Sequence, residues 1–145
     1  MHFGVSNFTT AQFRSLNSVF PLITNQIEVS AVHLNAYLDG TINQCMDHHI
    51  QPLAWSPLGG GELLGKPTNE KTKRLQDQLK QLGSKYSCGI DQLLYAFVLQ
   101  HPAGIVPVLG TSRVDRIKSA VEALEINLNK EDWYSLWIAS TGEEV

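Results

Sequence analysis

Four short apolar runs, each followed by a segment with helical periodicity, most constrain what this chain can fold into. The predicted strands cover residues 3–5, 22–29, 50–55 and 105–109. The segments with helical periodicity cover residues 11–20, which Thr9 or Thr10 would cap, 38–49, a stretch ending near 85, 92–100, a stretch ending near 124, and a last stretch that Asn129 would cap. Residues 30–37 are predicted to form a loop, and the polar segment 65–73 is predicted to be mobile. Short strands that alternate with helices predict a parallel sheet with right-handed crossovers. The predicted class is therefore α/β, with four parallel strands and surrounding helices.

Length and charge narrow the range of partners. A chain of 145 residues corresponds to one domain and can bury a hydrophobic core. The net charge of −3 provides no positive surface that would attract nucleic acid or a membrane, and no apolar run is long enough to span a bilayer. Cys45 and Cys88 lack the spacing of metal ligands. We therefore expect reduced thiols, a cytoplasmic location without a leader peptide, and no metal, nucleic-acid or membrane partner.

The segment 105–117 carries the strongest sign of ligand binding. Its apolar run is followed by a glycine, two hydroxyl residues and two arginines, namely Gly110, Thr111, Ser112, Arg113 and Arg116. Free backbone N–H groups and the positive end of a helix dipole meet at such a turn, and each guanidinium can form a bidentate contact with a phosphate. An ordinary strand-to-helix turn, with Thr111 or Ser112 as the helix cap, fits the same residues.

Polar or conformationally special residues also follow the other three predicted strands. These residues are Ser6 with Asn7, Asn25 with Gln26, and Ser56 with the glycines at positions 59–61. In parallel α/β folds, the carboxyl ends of the strands carry the binding site. Four such groups at one sheet edge favour ligand binding over four unrelated turns.

Four motifs resemble the C-terminal half of an aldo-keto reductase, most closely the bacterial NADPH-dependent type. They are GVSNF at 4–8, NQIE at 25–28, WSPLG at 55–59 and GTSR at 110–113. That family folds as a (β/α)8 barrel, binds NADPH and reduces aldehydes and ketones. The resemblance covers essentially the whole chain, so it implies that residues 1–145 form a single partial domain, one half of such a barrel.

The resemblance implies a cofactor-binding role for each residue at a matching position. Ser6, Asn7 and Gln26 would hold the carboxamide of the nicotinamide, and Trp55 would stack under its ring. The residues implied for the pyrophosphate are Ser56, Leu58 and Gly59. Those implied for the 2′-phosphate and the adenosine are Gly110, Thr111, Ser112, Arg113 and Arg116, a set that favours NADPH over NADH.

Two positions depart from the family's pattern at the adenosine end. Gly110 stands where many members have Lys, and Ser119-Ala120 stands where many have a Glu-Asn pair near the adenine. The adenine contacts therefore stay open at this point.

The family's catalytic Asp, Tyr, Lys and His lie on the first four strands, and no part of this chain corresponds to them. We predict no catalytic residue here; Tyr37, Tyr86, Tyr95 and Tyr134 fall outside the matching motifs. The predicted function is the cofactor-binding half of an NADPH-dependent oxidoreductase, whose intact parent acts on small carbonyl substrates. The alternatives are a non-catalytic nucleotide-binding or subunit-interaction module, or a truncated remnant that binds nothing.

Four strands leave two open edges and an uncovered sheet face, which invite pairing. Three explanations stay open: a fragment of a longer reductase, a truncated gene product, or two copies that together close a barrel. We expect self-association if the chain folds alone.

Overall fold

Four strands form one parallel sheet in the computed structural model, which describes residues 1–143. They are β1 (Phe3–Ser6), β2 (Leu22–Glu28), β3 (Leu53–Trp55) and β4 (Val106–Pro107), and they lie side by side in chain order. Each neighbouring pair is parallel, with Ser6 opposite Gln26, Gln26 opposite Leu53, and Leu53 opposite Val106. The predicted α/β architecture with four parallel strands is confirmed.

The helices follow the strands as predicted, although their bounds differ. They are α1 (Thr10–Asn17), α2 (Asn35–Leu38), α3 (Thr41–Asp47), α4 (Glu70–Tyr86), α5 (Ile90–Leu99), α6 (Val114–Glu122) and α7 (Lys130–Thr141). Gly59–Leu64 and Ala123–Glu125 form 3₁₀ segments.

Two predicted helix caps are present. Thr9 precedes α1, and its hydroxyl oxygen accepts from the backbone N–H of Gln12 at 3.3 Å. Asn129 precedes α7, and its Oδ1 accepts from the N–H of Asp132 at 2.8 Å. Each cap satisfies an N–H group that has no partner within its helix, and thereby fixes where the helix begins.

The helix predicted over 38–49 is in fact two helices, and the first begins inside the segment 30–37 that was predicted as a loop. Gly40, with φ of 86°, separates α2 from α3. The Oδ1 of Asp39 then accepts from the N–H of Thr41 at 2.8 Å, so Asp39 supports the start of α3 from outside the cap position. A left-handed glycine ends one helix and permits the change of direction into the next.

The polar segment 65–73, predicted to be mobile, contains the start of α4. Asn69 caps this helix by accepting from the N–H of Thr72 at 2.8 Å. The fourth strand is shorter than predicted: it spans Val106–Pro107, and the N–H of Val108 just beyond it still donates to the carbonyl of Ala54 at 2.8 Å. The cap by Thr111 or Ser112, which was the alternative interpretation of the last strand-to-helix turn, is not formed, since Arg113 occupies the cap position and makes no side-chain cap bond.

The two faces of the sheet differ in their covering. Ile27 and Ala54 point to the helical side, where they are buried with residues of α4, α5 and α7 such as Leu79, Phe97 and Leu136. Alternate residues point to the other face. Leu53 and Val106 point to that face, where Leu53 is partly exposed and Val106 is 39% exposed. The hydrophobic core therefore lies on one side of the sheet only.

No helix within residues 1–143 combines the length and the apolar character needed to cross a membrane.

Candidate functional site

A cavity of about 530 Å³ lies where the carboxyl ends of β3 and β4 meet. Three parts of the chain form its wall: the turn after β3, the first turns of α5, and the segment from β4 into α6. We call it the strand-end cavity. It brings together two of the segments that the sequence singled out, which are separated by about fifty residues along the chain.

The turn after β3 contributes Ser56 and Leu58 to the cavity wall, as the resemblance implied. Ser56 adopts φ of 49°, and its carbonyl accepts from the N–H of Gly59 at 2.8 Å. Gly60 and Gly61 also line the cavity; both have positive φ, and an added Cβ would meet no atom within 4 Å. The turn therefore leaves bare backbone toward the cavity.

Gly59 lies apart from this open surface. It is buried, with φ of 61°, and a Cβ on it would come 2.6 Å from the Cγ2 of Val32. Close packing against the loop after β2 explains the glycine at this position. The structure therefore places Gly59 in the packing behind the cavity wall, not in the wall itself.

The segment from β4 to α6 contributes Gly110, Thr111 and Arg116 to the wall. A Cβ on Gly110 would meet no atom within 4 Å, and the N–H groups of Gly110 and Thr111 have no hydrogen-bond partner among residues 1–143. The Arg116 guanidinium makes no salt bridge with any described residue. Donors without protein partners therefore converge on one side of the cavity.

Arg113 and Ser112 do not line the cavity, although they belong to the same motif. The Arg113 guanidinium is bound to Asp115, with Nε to Oδ1 at 3.2 Å and Nη2 to Oδ2 at 2.6 Å. The arginine beside it holds the pKa of the exposed Asp115 carboxyl below its usual value. The sequence predicted that both arginines bind one phosphate. In the structure Arg113 is paired with Asp115 outside the cavity, whereas Arg116 lines the cavity and has no carboxylate partner among residues 1–143.

Two cavity residues, Asp91 and Tyr95 of α5, are not among the binding residues that the sequence predicted. They are four residues apart, so they lie on one face of the helix. The spacing was visible in the sequence, but nothing in it showed that this face turns toward the β4–α6 turn. Burial raises the pKa of the Tyr95 hydroxyl, the Asp91 carboxylate raises it further, and Arg116 acts in the opposite direction. Both charged groups therefore act on this one phenol.

The residues implied for the nicotinamide form a second group, which we call the Trp55 cluster: Ser6, Asn7, Gln26 and Trp55. They lie at or near the ends of β1, β2 and β3, outside the strand-end cavity. The indole Nε1 of Trp55 donates to the Oδ1 of Asn7 at 2.9 Å, and the Ser6 hydroxyl donates to the carbonyl of Gln26 at 3.1 Å. Ser6 and Asn7 are exposed, whereas Gln26 and Trp55 are half-buried.

Asn25, which was grouped with Gln26 as a strand-end residue, has a structural role. Both residues lie within β2, not after it. The fully buried Asn25 amide donates to the carbonyl of Phe8 at 2.9 Å, and its Oδ1 accepts from the N–H of Phe8 at 3.3 Å. These two bonds attach the turn after β1 to β2 and give a buried amide the partners that it needs.

Cys45 and Cys88 are free thiols, and burial raises the pKa of the Cys45 thiol to about 11. Among residues 1–143, no group of three or more His, Cys, Asp or Glu side chains is placed to hold a metal ion.

Comparison with known proteins shows which family this chain belongs to. Residues 1–139 match the description of the Aldo/keto reductase family. The chain belongs to that family. An uncharacterized oxidoreductase of Bacillus subtilis, YcsN, is 40% identical over 99% of this chain and 49% of its own length. The oxidoreductase YdhF of Escherichia coli is also 40% identical, over 99% of this chain and 48% of its own.

A 6-dehydroglucose reductase of Novosphingobium aromaticivorans is 36% identical over 98% of this chain and 47% of its own length. The chain therefore spans about half the length of the curated aldo-keto reductase relatives that it matches. Among solved structures, the thermostable aldo-keto reductase Tm1743 superposes with a TM-score of 0.83 at 23% identity, over 95% of this chain and 48% of that one. The four parallel strands and their helices are accordingly part of the barrel fold of this family, as predicted.

Proposed function

We propose that this chain is the cofactor-binding, C-terminal half of an NADPH-dependent aldo-keto reductase whose intact parent reduces small aldehydes or ketones. The observation that carries the proposal is the strand-end cavity. It joins the turn after β3 with the turn after β4, so that Ser56 and Leu58 face Gly110, Thr111 and Arg116. Four of these five residues come from two of the motifs that resemble the family, and Arg116 lies three residues beyond the second motif.

The cavity fits the phosphate-bearing part of NADPH. The unpartnered N–H groups of Gly110 and Thr111 can donate to an anion, as in other strand-to-helix turns. Arg116 can bind a phosphate with two parallel bonds, and it is not committed to a carboxylate. Because Arg113, the other arginine implied for the 2′-phosphate, is bound to Asp115, the preference for NADPH over NADH rests mainly on Arg116.

The Trp55 cluster supports the nicotinamide part of the proposal. Asn7 fixes the edge of the Trp55 indole, and a fixed aromatic plane suits the stacking of a ring. The side-chain amide N–H groups of Asn7 and Gln26 make no hydrogen bond within residues 1–143, so they are free to donate to a carboxamide oxygen. NADPH supplies the hydride when bound, and these residues would orient it.

We also propose that this chain by itself does not supply the proton that carbonyl reduction requires. Tyr37 packs among aromatic side chains, and burial raises the pKa of its hydroxyl far above the ordinary value. Tyr86 donates to the Oδ2 of Asp132 at 2.5 Å and helps to join α4 to α7. Both phenols therefore have structural roles.

Self-association is a further part of the proposal, for this chain when it folds alone. Phe3 and Val106 leave apolar surface on both edge strands, and parallel edges have unpaired N–H and C=O groups. Two copies related by a twofold axis could pair β4 of each with β1 of the other. Sedimentation should show a dimer or larger species, and a monodisperse monomer would contradict this.

The free thiols favour a cytoplasmic location.

An NADPH titration of the purified chain tests the proposal, with quenching of tryptophan fluorescence as the readout and NADH in parallel. We expect saturable quenching with NADPH preferred. A chain that circular dichroism shows to be folded, yet that binds no NADPH, would contradict the proposal. Incubation with NADPH and an aldehyde should give no turnover, and turnover above background would refute the missing proton donor.

A further inference from the structure

Asp91 places a carboxylate in the wall of a cavity for which we propose a phosphorylated dinucleotide. Its position in the first turn of α5 suits the helix dipole, but this does not explain why the side chain faces the cavity. A carboxylate repels phosphate, so the part of the ligand that meets Asp91 must be something else.

The Asp91 side chain is held by a second helix. The Ser119 hydroxyl of α6 donates to its Oδ2 at 2.9 Å. Its Oδ1 accepts no hydrogen bond from any described residue, and no salt bridge within 4.0 Å joins it to Arg116. The carboxylate is therefore oriented by the protein and retains one oxygen that is free to accept.

The wall beside Asp91 is apolar and partly aromatic. Tyr95, which is 5% exposed, lies one helical turn further on and packs with Leu58 and Ala120. The N–H donors and the Arg116 guanidinium come from the other contributing segment, which begins at β4. The cavity therefore has one wall suited to phosphate and another suited to a planar group that carries a hydrogen-bond donor.

We propose that Asp91 recognises the exocyclic amino group of the adenine base, an inference that rests on the proposed function. A carboxylate can only accept, and a dinucleotide offers it ribose hydroxyls, the adenine amino group or the carboxamide of the nicotinamide, which we place at the Trp55 cluster. In NADPH the 2′-hydroxyl carries a phosphate, which belongs with Arg116, and the apolar wall favours the base over the sugar. If the base carried a keto oxygen in place of the amino group, that oxygen would face the Oδ1 of Asp91, and two acceptors would oppose each other.

The test compares NADPH with its hypoxanthine analogue, in which that amino group is a keto oxygen. We expect the wild-type chain to bind NADPH at least about tenfold more tightly, because the keto oxygen places an acceptor where Asp91 would accept from the amino group. Asp91→Asn keeps an acceptor for Ser119 and can donate to the keto oxygen, so it should reduce the preference to about twofold or reverse it. Asp77→Asn changes an exposed carboxylate outside the cavity and should retain the wild-type preference.

The outcomes separate the two proposals. A wild-type chain that binds both dinucleotides equally would overturn the role of Asp91 and leave the cofactor site intact. Retention of the full preference by a folded Asp91→Asn variant would overturn it as well. A folded wild-type chain that binds neither dinucleotide would contradict the proposed function itself, and the role of Asp91 with it.

Discussion

The strand-end cavity and the Trp55 cluster differ in how much of a binding surface each provides. Three segments of the chain enclose the cavity, and the residues that line it carry donors without hydrogen-bond partners among residues 1–143. The Trp55 cluster is a platform: Ser6 and Asn7 are exposed, and the main contacts of its residues are with one another. We infer that the phosphate and base end of the cofactor site is built within this chain, whereas the nicotinamide end needs further structure above it.

The position of the two regions in the sheet explains the difference. The cavity lies over β3 and β4, where α5 and α6 close around the strand ends. The Trp55 cluster reaches to β1, the opposite edge strand of the sheet, and lies outside that cavity. The carboxyl ends of the strands are therefore more enclosed at β4 than at β1.

Arg116→Ala should have the largest effect on this comparison. A charge-assisted bond to phosphate contributes about 1.5–3 kcal/mol, so NADPH affinity should fall roughly 10- to 100-fold. NADH affinity should change by less than about threefold, because NADH lacks the 2′-phosphate. Parallel fluorescence titrations measure both. Lys118→Ala, on the exposed side of α6, is the matched control. An equal loss for the two dinucleotides would contradict a phosphate-specific role.

Substitution of Gly59 and of Gly60 should show which of these adjacent glycines is tightly packed and which lies in the open cavity wall. Gly59→Ala combines a left-handed backbone with the contact to Val32, so it should lower the free energy of unfolding by about 2–4 kcal/mol. Gly60→Ala has the backbone cost alone, about 1–2 kcal/mol. Urea unfolding measures the two. Equal losses would show that Gly59 is not tightly packed against Val32.

Asn7→Gly should affect the nicotinamide end alone. Glycine adopts the φ of 55° at this position without strain, while the acceptor for the Trp55 indole is lost. A neutral hydrogen bond contributes about 0.5–1.5 kcal/mol, so NADPH affinity should fall roughly 2- to 10-fold. The affinity for adenosine 2′,5′-bisphosphate, which lacks the nicotinamide, serves as the internal control and should be unchanged. A parallel loss for this fragment would mean that the two regions are coupled.

Asp115→Asn should have the smallest effect, and in the opposite direction. It removes the charge that holds Arg113, and exposed ion pairs are worth about 1 kcal/mol or less, so NADPH affinity should rise by about twofold. Asp115 is ionised at neutral pH even at the usual pKa of an aspartate, and Arg113 lowers that pKa further. Titrations at pH 7 compare the variant with wild type. A marked fall in NADPH affinity would indicate that the pair itself contributes to binding.

Much of the fold was predictable because it depends on local signals. Apolar runs located all four strands, and the side chains of Thr9 and Asn129 located two helix starts. The break at Gly40 was missed because a helical pattern continues on both sides of it.

The site was predictable only as far as the motifs reach. Ser56, Leu58, Gly110, Thr111 and Arg116 do converge. The pairing of Arg113 with Asp115 and the approach of α5 to the cavity depend on side-chain geometry and tertiary packing. Neither leaves a pattern in the sequence, so Asp91 could be found only from the structure.

Calorimetric titration with two halves of the cofactor tests the central claim most directly. If the cavity is complete within this chain, adenosine 2′,5′-bisphosphate should bind with an affinity within about tenfold of that of NADPH, since it retains both phosphate and base contacts. Reduced nicotinamide mononucleotide should show no saturable binding at millimolar concentration. A folded chain that fails to bind the bisphosphate, or that binds the mononucleotide as tightly as NADPH, would contradict the account.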